Sequence, residues 1–102
     1  MPEKKFHVTG CVIDNKTKQG IAGLRVEAWD KDFLSIDYVA EARTNENGEF
    51  SLSFTTAHFK KLFENQWPDL FFKIYYKDDL IKSTEKDVLW DVKSTKKNIG
   101  DI

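Results

Sequence analysis

Hydrophobic and polar positions alternate with a period of two through much of the first half of the chain, and turn-forming clusters separate the alternating runs. Residues 6–14 (FHVTGCVID) put Phe6, Val8 and Val12 on one face and Cys11 and Ile13 on the other, which predicts a first strand. NKTKQG (15–20) is a polar turn. In LRVEAWD (24–30), Leu24, Val26 and Ala28 point one way and Arg25, Glu27 and Trp29 the other. A third strand is predicted over 37–44, with Val39 on one face and Tyr38, Ala40 and Ala42 on the other. EFSLSF (49–54) alternates Phe50, Leu52 and Phe54 with Glu49, Ser51 and Ser53, the pattern of a sheet with one face in water. Between these two runs, Asn47-Gly48 predicts a hairpin through a two-residue type I′ turn, whose central residues both need positive φ.

The period then changes. Phe59, Leu62 and Phe63 fall at helical spacing after Thr55 and Thr56, either of which can cap, and Pro68 discourages helix at Trp67. A short helix over 57–65 follows. DLFFKIYY (69–76) is the most apolar run and predicts a central strand, with Leu70, Phe72, Ile74 and Tyr76 on one face. Lys77-Asp78-Asp79 makes a turn, LIKS (80–83) a short return strand, and Trp90 with Val92 a last weak one. STKKNIGDI reads as a frayed tail. The whole is one domain over 1–102, its ordered core at about 6–93. Its fold class is all-β, an antiparallel β-sandwich of about seven strands with one short helix between the fourth and fifth.

Composition narrows the function classes. A chain of 102 residues supports a single modest core, here rich in large rings, with eight Phe, three Tyr and three Trp. The formal net charge of -1 argues against general binding of nucleic acid or another polyanion. No apolar run approaches the roughly 18 residues of a membrane span, and PEKKFHVTG near Met1 lacks a signal-peptide core. Cys11 is the single cysteine, so no intrachain disulfide forms. Synthesis and folding in the cytoplasm, a reducing compartment, is the plain expectation. Export by a route without a cleaved signal, or excision from a larger protein, stays open.

Three glycine-centred segments carry a resemblance: Gly10-x-Val12-x-Asp14, Gly20-Ile21-x-Gly23-Leu24-x-Val26 and Thr44-Asn45-x-x-Gly48-x-Phe50. Residues 8–54 resemble the transthyretin-like (prealbumin-like) superfamily, in particular carboxypeptidase-regulatory-like domains. VEAWDKD, PDLFFKIYYKDDLIKST and TEKDVLW extend the likeness to about residue 92. They are similar to a subgroup at the front of large bacterial exported or injected proteins, including the A components of insecticidal toxin complexes. The resemblance implies the sandwich and a setting, a toxin-associated or secreted assembly, rather than a chemistry. Two active branches of that superfamily differ at their reactive positions. Hydroxyisourate hydrolases carry a first-strand His where this chain has Cys11, and end in Tyr-Arg-Gly-Ser where this chain has Asn98-Ile99-Gly100-Asp101-Ile102. Pilus adhesin repeats that form isopeptide bonds carry a Lys near the place of Val12.

Few constellations carry chemistry. Asp30-x-Asp32 and Asp37 offer carboxylates on one loop, and calcium takes six to eight hard oxygens. WDKDFLSIDYVAEA resembles the third calcium loop of synaptotagmin-type domains, with Tyr38 where the last Asp is expected; the other reading is a solvated acidic loop. His7, at a strand edge, and His58, in the first helical turn, have no metal-ligand spacing. Cys11 reads as a half-buried strand thiol, since a nucleophile needs a lowered pKa. No phosphate loop, nucleophile elbow or paired-carboxylate cleft is visible, so no catalytic residue is assigned and the chain is expected not to be an enzyme. Trp29, with Phe33 and Tyr38 beside it, forms the candidate protein-binding patch, because exposed aromatics concentrate contact energy. The expected function is a non-enzymatic interaction or structural module without a cofactor, docking or positioning a larger exported protein through a protein partner. The alternatives are a calcium-dependent binding domain and an oligomeric carrier of a small apolar ligand.

Overall fold

The computed structural model describes residues 5–31, 36–55, 68–90, 92 and 96–102. Seven strands are found among them: β1 (Lys5–Cys11), β2 (Arg25–Lys31), β3 (Ile36–Arg43), β4 (Glu49–Thr55), β5 (Leu70–Tyr76), β6 (Asp79–Ser83) and β7 (Lys96–Asp101). They form two sheets, β4-β1-β7 and β3-β2-β5-β6, packed as a β-sandwich. β1 is antiparallel to β4 and parallel to β7, and every pair in the four-stranded sheet is antiparallel.

Alternation builds the core. Phe6 and Val8 of β1 and Phe50, Leu52 and Phe54 of β4 face Val26 and Ala28 of β2 and Leu70, Phe72 and Ile74 of β5, all of them buried. Phe6 stacks on Phe54 at 5.1 Å between ring centroids, and Phe50 meets Phe72 across the two sheets at 6.3 Å. Aromatic pairs at such distances add to the stabilisation from buried area.

The residues of the glycine-centred segments meet at one end of the sandwich. A Cβ on Gly20 would strike the Asn47 carbonyl, and one on Gly48 would lie 2.7 Å from the Gly20 Cα. Gly48 also holds φ at +78°, a conformation that side chains with a Cβ resist. Thr44, itself buried, donates its hydroxyl to the Ile21 carbonyl (2.7 Å) and accepts the Leu24 N–H (2.9 Å). Those spacings describe a packing joint between two turns.

Four expectations change. Asn47-Gly48 does not close a hairpin of paired strands, because β3 and β4 lie in different sheets. The chain crosses between the layers there. Gly48 N–H donates to the Asn45 carbonyl (2.9 Å) and Asn45 N–H to the Glu49 carbonyl (2.8 Å). Asn47 is not among the positive-φ residues, so the turn is not type I′. In β3, Ala28 pairs with Ala40 and Trp29 with Tyr38, which leaves Val39 as the extra residue of a bulge. Val39 is therefore buried, and Ala40 and Ala42 pack on the same core rather than opposite it. The predicted frayed tail contains β7, whose ladder is completed by Ile102 N–H to the Cys11 carbonyl and Ile13 N–H to the Ile102 carbonyl. Trp90 and Val92 lie outside the named strands; the neighbouring Leu89 makes an isolated bridge to Leu70. The helix expected over 57–65 falls outside the described residues. Among the described residues no helix is long and apolar enough to cross a membrane.

Candidate functional site

Among the described residues, the outer face of the four-stranded sheet carries a dense set of interacting side chains. Antiparallel register places Arg25 opposite Tyr75, Glu27 opposite Lys73 and Trp29 opposite Phe71. On the other side of β2, Trp29 pairs with Tyr38 and Glu27 with Glu41. Facing residues in adjacent strands interact directly, so three rows of charged and aromatic side chains, through Arg25, Glu27 and Trp29, meet on one surface.

Glu27 is the centre of this surface. It is buried, and its two carboxylate oxygens accept from Arg25 Nε (3.2 Å) and Trp29 Nε1 (3.1 Å). A buried charge is tolerable when partners replace its water. The Lys73 ammonium sits 4.1 Å from the Trp29 ring centroid, and the Arg25 guanidinium 4.4 Å from that of Tyr75. Both distances suit a cation on an aromatic face. Trp29 meets Tyr38 edge-to-face at 5.7 Å. Tyr38 donates its hydroxyl to Glu41 (2.9 Å), and partial burial, then that hydrogen bond, raise its pKa to about 12. Phe71 is fully buried yet points away from the intersheet core that holds Phe72.

The structure therefore brings Trp29 and Tyr38 together, as the sequence reading supposed, but Trp29 is half-buried and engaged on three sides. Tyr38 is 44% exposed and Ile36 43%, so the open part of the patch lies along β3. Phe33 lies outside the described residues. Arg25 and Glu27 are placed on an outward face by alternation but, like Lys73 and Tyr75, are not singled out as site residues by the sequence. Their signal was the outward half of two alternating strands, read together only once the register was known.

The acidic residues separate. Asp30 and Asp37 are register partners, but Asp30 is completely buried and its Oδ1 accepts the Asp69 N–H at 2.9 Å. Asp32 lies outside the described residues, among which no group of three or more His, Cys, Asp or Glu stands together as a metal site. Asp14 is a turn residue: its Oδ1 accepts from Lys16 N–H and Thr17 N–H, which hold its carboxyl below the usual range.

On the other sheet, His7 lies on the central strand rather than at an edge, and its ring nitrogens are each 3.0 Å from a serine hydroxyl, Ser53 and Ser51. Cys11 is half-buried, with Sγ 3.4 Å from the Asn47 carbonyl. Burial, then Asp101 and Glu49, push its thiol pKa up, the opposite of what a nucleophile requires. His58 lies outside the described residues.

Compared with protein-family models and with curated proteins, the chain matches none. Among solved structures it is similar to part of a 9R-lipoxygenase from Cyanothece, with a TM-score of 0.67 and 18% identity. The match covers 97% of this chain and 16% of that one. At that identity the likeness concerns the fold alone.

Proposed function

We propose that this chain is a non-enzymatic interaction or structural module of the transthyretin-like kind, which docks or positions a larger exported or toxin-associated protein. Three things support the family reading: the resemblance of residues 8–92, the seven-stranded sandwich, and the junction of Gly20, Thr44 and Gly48. The docking role rests on one observation above all. Trp29 and Tyr38 form an edge-to-face pair whose polar atoms are tied down by Glu27 and Glu41, with Tyr38 and Ile36 open at the side. Such a patch is rigid and already partly desolvated, which lowers what a protein partner must give up on binding.

The test is partner capture from the native host, then affinity with the captured protein. Tyr38→Ala and Trp29→Ala should each weaken binding tenfold or more, about 1.4 kcal/mol. Tyr38→Ala is the cleaner variant, since Trp29→Ala also strips a partner from buried Glu27. A folded Tyr38→Ala protein that binds every partner as before would move the surface elsewhere.

The calcium-dependent reading keeps one favourable observation, the facing of Asp30 and Asp37. Asp30 already serves the Asp69 backbone, so millimolar calcium should leave the melting temperature unchanged. A rise of several degrees that Asp37→Ala abolishes would put calcium first, because a ligand stabilises only by preferring the folded state.

A further inference from the structure

Among the described residues a three-stranded sheet packs on a four-stranded one, and one edge strand of the larger sheet is exposed along its whole length. That strand is β6, in which all five residues are exposed, including Leu80 and Ile81 at 52% each. Beside it is a cavity of about 380 Å³, walled by Ile13, Ile21, Ile74, Ile81 and Ile102. Its polar lining is Asn15, Lys82 and Asp101. The volume falls within the range of about 300–1,000 Å³ typical of small-molecule sites, as does an apolar wall with few polar groups.

Register decides which charge belongs to this cavity. Lys82 pairs with Ile74 and Leu80 with Tyr75, so Ile81 is the extra residue of a bulge. Ile74 faces the core, and its partner Lys82 shares that face of the sheet. The Lys82 ammonium makes no hydrogen bond or ion pair with any described residue. Asp101 is the cross-strand partner of Cys11 and also lines the polar groove on the outside of β1, where its charge acts on the Cys11 thiol. An isoleucine wall with an uncommitted cation at its mouth fits an anionic amphiphile.

We propose that this cavity binds a medium-chain aliphatic carboxylate, its alkyl tail on the isoleucine wall and its carboxylate on Lys82, with the Asn15 side chain at the mouth. The site lies within one chain and is independent of the docking role. A strand added to the β6 edge is the weaker occupant, because β6 is short, bulged and carries a lysine on its inner side, three features that discourage strand pairing. Ion pairing to a carboxylate adds a charge-assisted hydrogen bond that an alcohol does not match.

The experiment is calorimetric titration of the full chain with decanoate, decanol and decylamine below their micelle concentrations. Decanoate should bind at least tenfold more tightly than the other two. Lys82→Ala should erase that preference and leave decanol unchanged, whereas Ile81→Asn should weaken all three. Both side chains are exposed, and a thermal melt of each variant verifies folding. Methyl chemical shifts of the unmutated protein locate the ligand independently and should move at Ile74, Ile81 and Ile102. Tighter binding of decylamine would make Asp101 the anchor and overturn the proposal. So would shifts confined to other methyl groups, an unaffected Lys82→Ala variant, or no binding at all.

Discussion

The outward positions of the three-stranded sheet include His7, Thr9 and Cys11 from β1 and Glu49, Ser51 and Ser53 from β4; those of the four-stranded sheet include Arg25, Glu27, Trp29, Phe71, Lys73 and Tyr75. The first set contains no Phe, Tyr or Trp, and its β4 members are all exposed. The second contains a fully buried phenylalanine and a buried carboxylate. Both sheets alternate in sequence, yet only one presents a simple solvated face. Polar identity at an outward position does not guarantee exposure, because neighbouring strands can assemble aromatic rings and long charged stems into a second, shallower layer. A face built that way is held by hydrogen bonds and ring contacts within the chain.

Phe71 and Phe72 put the comparison to its strongest test. They are adjacent on β5, both fully buried, and on opposite sides of the sheet. Phe72→Ala should cost about 3–5 kcal/mol in denaturant melts, a large part of the stability of a domain this size. Phe71→Ala should cost a comparable amount if the outer layer is a true packing layer. A loss below about 1 kcal/mol for Phe71 alone would reduce that layer to surface decoration, whereas the same small loss for Phe72 would displace the core.

The joint between the sheets comes next. Gly48→Val forces a Cβ into a backbone at φ +78° and against the Gly20 Cα, so a cost of about 1–3 kcal/mol or more is expected. Asn47→Asp, at an exposed position without positive φ, should stay within about 0.5 kcal/mol. Equal effects in thermal melts would mean that Gly20 and Gly48 do not lock the turns together.

Most of the architecture was legible in the sequence because buried strands with one wet face announce themselves by alternation. Phe50, Leu52 and Phe54 against Ser51 and Ser53 is the clearest instance, and it holds residue for residue. Bulges were illegible: the extra residue in β3 turns Val39 inward beside Ala40 and Ala42, and no local pattern marks it. β7 was missed because KKNIGD has no apolar alternation; it is a strand through its parallel ladder with β1, a contact distant in sequence. Trp29 and Tyr38 were found by residue type. Glu27 and Lys73 were not, since their roles exist only through cross-strand neighbours.

Tyr38 offers a pH test of the aromatic face. Its pKa is raised to about 12, first by partial burial and then by the Glu41 hydrogen bond, whereas an unfolded tyrosine ionises near 10. The folded state therefore holds the proton more tightly. The stability this provides is fully present below about pH 10 and is lost as pH rises toward about 12. Tyr38→Phe should flatten that part of the stability curve and remove a tyrosinate signal near pH 12 from an absorbance titration. Loss of a tyrosinate signal near pH 10 instead would mean that Tyr38 stands in water like the serines of the other face.

The smallest effect belongs to that other face. Ser51 and Ser53 flank His7 with both ring nitrogens 3.0 Å from a hydroxyl, a trio that resembles a relay on paper. All three residues are exposed, so water replaces each hydrogen bond when its partner is removed. Ser51→Ala and Ser53→Ala should each change stability by less than about 0.5 kcal/mol, and the double variant by little more. Partner capture should not change at all. A loss above about 1 kcal/mol for the double variant would show that the trio is shielded from water, and the small polar face would then need the same layered description as the aromatic one.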